Sequence, residues 1–208
     1  MKNELRKLST LLALILLFSF CPKSIVSAEN VNSLAQADAL KSASLFLGTG
    51  SGYDLGGILN RIQGITLALR AQGLEGAVQA LSAVDTAVTL GRVADASQIP
   101  DWARKYVAFA LRQNPAITTG VSILADGRVM FAPSQVMSGK EFITFMGRAM
   151  GYQISSLSSG LDTALSSKML SASQIVSYAN ISSLTRGQAE LHLGIMPVLR
   201  HQRLPLHH

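Results

Sequence analysis

The chain has 208 residues, 48% of them hydrophobic, with 18 Lys and Arg against 12 Asp and Glu. Four of those basic residues (Lys2, Arg6, Lys7, Lys23) and one of the acidic (Glu4) fall in the first 28 positions, which leaves 14 against 11. Such a nearly balanced remainder, without a dense Lys/Arg run, gives nucleic acid no electrostatic footprint. The single cysteine, Cys21, excludes a disulfide framework, so an ordinary apolar core must hold the chain together.

Residues 1–28 have the three-part layout of a secretory signal. A basic start is followed by the apolar run LLALILLFSFC at 11–21, and then by a small-residue ending at Val26-Ser27-Ala28. The run is shorter than the roughly 20 apolar residues of a membrane span. The expectation is a secreted protein with no stable membrane span after cleavage. Cys21 follows Phe18-Ser19-Phe20, which does not suit lipidation.

Residues 34–46 repeat Leu34, Ala37, Leu40 and Ala43 at helical spacing, and GTGSG at 48–52 then reads as a turn. That stretch lacks the preceding strand and the Gly-Lys-Ser/Thr ending of a phosphate loop. Asn60 followed by Gln63 marks a capped helix start, continued by Ile62, Ile65 and Leu69 and closed at Gly73. Residues 75–90 read as one amphipathic connector. A helix over 101–112 follows Pro100, with Trp102, Tyr106 and Phe109 on one face; Trp102 therefore reads first as core. Asp95 reads first as a cap. Gly120 opens a second Gly-containing loop, and a short extended piece leads to Ser138…Glu141, a second capping box. Its helix carries Phe142, Phe145, Met146, Ala149 and Met150 and closes at Gly151. A helix over 157–168 precedes a third start, Thr185-Arg186-Gly187-Gln188. From Ala189 the apolar period fades, two prolines arrive, and all four histidines appear. That stretch reads as an irregular tail from an altered reading frame, leaving Arg186 on a stub of helix.

The repeated unit is helix, Gly-containing loop, short extended segment, capped helix. One unit cannot bury its own apolar face, so several must pack together. This pattern resembles the S-layer homology family. The residues that carry the likeness are Asp95-Ala96, Trp102-Ala103, Gly120, Phe131-Ala132-Pro133 and the closing helix 142–152, with Ser44 to Gly50 in the first unit. Arg61 and Arg186 fall at the Arg of the family's Thr-Arg-Ala-Glu motif. The middle unit has Gly139 there, and Gln63 and Gln188 replace the motif Glu.

The resemblance implies a mainly all-α fold of tandem helix–loop–helix repeats packed as a pseudo-trimeric bundle. Its boundaries are a first repeat with connector at 29–92, a second at 93–152, a partial third at 153–188 and a tail at 189–208. It implies a non-catalytic wall anchor that binds a cell-wall secondary polysaccharide, often pyruvylated, on the surface of a bacterium. Under it, Arg61, Arg186, Asp95, Trp102 and Gly120 are polysaccharide-binding candidates: the arginines fork onto a sugar carboxylate beside free helix-terminal N–H groups, and Trp102 stacks on a sugar face. At most two grooves keep the motif Arg. No cofactor or metal is expected, and the histidine-free body (1–191) supplies no triad or zinc set. The alternative reading is a surface protein-interaction module that binds no polysaccharide.

Overall fold

A computed structural model describes residues 34–35, 37–39, 41–42 and 52–195, the last four without side chains. The signal-like segment 1–28, most of the GTGSG turn and the tail beyond 195 lie outside the described residues. The chain divides at Ala35/Gln36, and the elements from residue 37 onward belong to the second unit.

The protein is mainly helical. Described residues between 37 and 42 are helical. Then come α1 (Arg61–Ala71), α2 (Glu75–Ala80), α3 (Ala83–Leu90), a 3-10 turn (Ala96–Gln98) and α4 (Asp101–Arg112). A hairpin of β1 (Ser122–Ile123) and β2 (Val129–Met130) is followed by α5 (Gly139–Ala149), α6 (Leu157–Ser166), α7 (Ala172–Asn180) and α8 (Arg186–Ile195). Among the described residues no helix is long and apolar enough to cross a membrane.

Local chemistry explains where these helices begin and end. Asn60 and Gln63 exchange hydrogen bonds at the start of α1, as do Ser138 and Glu141 at α5. Thr185 and Gln188 do the same at α8, at 3.0 and 3.2 Å. Each box satisfies two backbone donors. At the ends of α1 and α5, Gly73 and Gly151 adopt positive φ, +69° and +92°. Their amides bond to Arg70 and Arg148, and the next amides, Leu74 and Tyr152, bond back to Leu69 and Gly147. Those paired bonds form a Schellman end, which needs a left-handed residue at that position. The connector 75–90 is two helices, because Leu81 is extended and Ser82 caps α3 afresh by accepting from the Asp85 amide.

The three capped starts meet in a closed ring. The Leu59 amide donates to the Leu184 carbonyl (2.8 Å), Leu184 to Met137 (2.8 Å), and Met137 to Leu59 (2.9 Å). Each of these residues directly precedes a cap, and each side chain is fully buried. The first amide of every helix continues the pattern: Arg61 donates to Gln135, Gly139 to Ile181 and Arg186 to Gly57. The extended segment ahead of one helix thus supplies acceptors to the next, and backbone groups orphaned at a helix start gain partners.

Packing follows the sequence pattern closely. α5 lies against α1, α6 and α7, and α4 lies against α1 and α3. Phe131, Phe142, Leu59, Ile65, Ile143 and Met146 are among the largest fully buried side chains. Burying one such side chain contributes about 1.5–3 kcal/mol. Unlike the stub expected from the sequence, α8 runs on to Ile195, with Ala189 buried on its inner face.

Gly139 has a packing cause. A Cβ there would stand 2.4 Å from the Tyr178 carbonyl oxygen, which is backbone and cannot swing away. Gly139→Ala is therefore predicted to cost about 2–4 kcal/mol in urea unfolding. Gly76→Ala, in open space on α2, is predicted to stabilise by about 0.5–1 kcal/mol.

Candidate functional site

Arg61 opens α1, and its side chain runs inward rather than into solvent; the residue is 2% exposed. Nε donates to the Phe131 carbonyl (3.0 Å), one terminal nitrogen to Glu141 (2.6 Å) and the other to Thr118 Oγ1 (3.2 Å). The guanidinium also lies 5.6 and 5.3 Å from the Phe131 and Phe145 ring centres. Burial pulls its pKa down and the adjacent Glu141 opposes that. The same Glu141 completes the α5 capping box through its second oxygen. One carboxylate thus ties the first helix start to the second.

Asp95 and Gly120 converge on the same strand end. Both Asp95 oxygens accept backbone amides, from Phe131 (2.9 Å) and Ala132 (2.7 Å). They hold Ala132 at φ +56°, a conformation that costs a non-glycine residue about 1–2 kcal/mol. Asp95 precedes the 3-10 turn without capping it through its side chain. Gly120 sits at φ +77°, and a Cβ there would meet Val129 Cγ1 at 2.4 Å and the Met130 carbonyl at 2.5 Å. Arg61, Asp95 and Gly120 are brought together, but as a satisfied, buried polar knot.

Arg186 repeats the Arg61 geometry one step round the ring. Its Nε donates to the Tyr53 carbonyl (3.0 Å), as Arg61 does to Phe131. Asp54 at φ +48° occupies the place of Ala132. The Gly187 amide bonds to Leu55 (2.8 Å), as the Ile62 amide bonds to Pro133 (3.4 Å). Burial lowers the Arg186 pKa, and the charge of Asp54 opposes the shift. Asp54 here is a carboxylate near the guanidinium, where the Arg61 site has an alanine. Arg186 is 9% exposed.

Two expectations change. The helix-terminal N–H groups imagined as free for an anion are occupied: the first two amides of α1 and α8 go to the neighbouring segment and the third to the cap. The first-turn anion site therefore has no spare donors among these amides. Trp102, which reads first as core, is 56% exposed. It touches Tyr106 edge-on at 6.4 Å. Tyr106 in turn bonds to Glu75 (2.6 Å) and Arg70 (2.9 Å). Arg70 lies nine residues beyond Arg61, about 14 Å along the helix axis. Trp102 therefore stands at the opposite end of α1 and shares no site with the buried arginines.

Sequence reasoning missed the partner of Arg61, which lies 80 positions away. It also missed Glu190, 1% exposed on α8, whose carboxyl burial and the charge of Asp38 raise to about 7. The only hint of Glu190 was its place four residues after Arg186. No family model matches the sequence, and neither the curated proteins nor the solved structures contain a match.

Arg61→Ala takes the counter-charge from Glu141, whose side chain is only 13% exposed. It is predicted to lose about 3–5 kcal/mol in equilibrium unfolding. Asp95→Ala, which strands two backbone donors, is predicted to lose about 2–4 kcal/mol by the same measurement.

Proposed function

We propose that this protein is a non-catalytic module of the bacterial cell surface that binds a wall-linked, acidic secondary polysaccharide, with Arg186 as its principal ligand residue. The observation that carries the reading is the ring of three capped helix starts, two of which place an arginine at the first helical position. It supports the tandem arrangement that the S-layer homology resemblance implies. A planar guanidinium is matched to a carboxylate on a sugar. The three helix starts are unequal. The Arg61 fork is spent on Glu141, Phe131 and Thr118, and the Gly139 position is filled by the Tyr178 backbone. We assign the ligand role to Arg186, the other arginine at a first helical position, whose Nε bonds to the Tyr53 carbonyl. Trp102, remote from it, is a separate sugar-stacking surface in this reading, and Asp95 and Gly120 are structural.

A protein-interaction module is the second reading, favoured by a specific observation. Val84 and Val88, one turn apart on α3, are both well exposed, as is Trp102 on α4. A sedimentation assay on purified cell walls separates the two. The polysaccharide reading predicts retention on walls stripped of protein and at least a tenfold loss with Arg186→Ala, about 1.4 kcal/mol. Retention that survives Arg186→Ala, or binding only to walls that keep their proteins, favours the second reading.

A further inference from the structure

Val93 and Val129 face each other across a parallel bridge beside the β1–β2 hairpin. The Val129 amide donates to the Arg92 carbonyl (2.8 Å), and the Ala94 amide to the Val129 carbonyl (2.8 Å). That pairing sets Arg92 beside Arg128, with α-carbons about 5 Å apart, one strand spacing. Val93 is buried, whereas both arginines are exposed. The backbone under them is firmly held. The Leu124 amide donates to the Arg128 carbonyl (2.8 Å), and the Gly127 amide closes the turn onto the Leu124 carbonyl (2.9 Å). The Asp95 clamp on the Phe131 and Ala132 amides fixes the strand end just beyond.

The charges around this pair are uneven. Asp126 accepts from the Arg128 amide (3.0 Å) and from its Nε (2.7 Å), which fixes one edge of the guanidinium. Arg92 has no carboxylate partner among the described residues. Arg104 comes to the same turn from α4, with one terminal nitrogen on the Ala96 carbonyl (3.2 Å). Asp95, next to Ala96, is 5% exposed and spends both oxygens on backbone amides. Like charges side by side on neighbouring strands are destabilising. An anion between them removes that cost, and guanidinium forks match the paired oxygens of a carboxylate.

We infer that Arg92 and Arg128 form an anion site for a carboxylate of an acidic glycan, and that this site does not involve Arg186. The glycan as ligand rests on the reading given above; the paired-arginine site does not. Titration of the full chain with oligogalacturonate, followed through the arginine Nε–Hε NMR signals, tests it. Saturable shifts are expected at Arg92 and Arg128. R92Q and R128Q are each expected to weaken binding about tenfold or more. R112Q removes an exposed charge paired with Asp85 at the other end of α4, and is expected to change binding less than about twofold. Absence of saturable shifts, or equal losses in all three variants, overturns the site. Inorganic phosphate binding as tightly as the oligomer overturns the assignment to a glycan carboxylate. Wall sedimentation separates this inference from the reading it draws on. Oligomer binding without wall retention sinks the polysaccharide proposal and upholds the site. Retention that falls with Arg186→Ala but not with R92Q and R128Q combined overturns the site and upholds that proposal.

Discussion

Three backbone hydrogen bonds, Leu59 to Leu184, Leu184 to Met137 and Met137 to Leu59, set the constraint on which the rest of the molecule depends. They join segments far apart in the sequence at the residues just before three helix caps. Because each of the three amides and carbonyls has left water, none can lose its partner cheaply. The ring fixes where the three helices begin, and the side chains at the first helical position must then fit whatever the neighbouring segment presents. Arg61 meets a strand end with Glu141 nearby, Arg186 meets the Tyr53–Asp54 turn, and Gly139 meets the Tyr178 backbone.

That single constraint yields three different environments from one repeated device. At the first, the arginine is turned into structure: its ion pair to Glu141 and its two other hydrogen bonds close a knot that also involves the Asp95 clamp. A buried pair of this kind is weak evidence for net stability but is expensive to break. At the second, the backbone carbonyl of α7's last turn takes the space a side chain would need. At the third, the charge of Asp54 bears on the arginine, and Glu190, four residues along α8, has a carboxyl raised to about 7. The ligand role we propose falls on the third, where Arg186 stands at the first helical position.

The legible part of the sequence was local. Asn60…Gln63, Ser138…Glu141 and Thr185…Gln188 each announce a helix within four residues, and Gly73 and Gly151 announce its end. The span of α4 could be read to the residue from Pro100 and the apolar spacing. What could not be read depends on partners distant in the chain. Trp102 shares a nominal helical face with Tyr106, yet that helix packs mainly over 106–110 and leaves Asp101 and Trp102 at its start exposed. α8 persists past Gln188 because Ala189 is covered by tertiary packing, which periodicity in a short tail does not reveal. Arg61 reads from the sequence as a ligand-facing helix-start arginine because nothing within ten residues names Glu141. The capping boxes of α6 and α7, built on Ser156 and Ser171, went unread because serine-rich stretches resemble loops.

The third helix start is an equal member of the ring rather than a stub. Residue-resolved amide exchange at Leu59, Met137 and Leu184 tests it most directly. The three amides are expected to exchange together, at the slow rate set by global unfolding. Exchange at Leu184 many times faster than at Leu59 and Met137 would contradict it, because the ring would then be open on the side that carries Arg186.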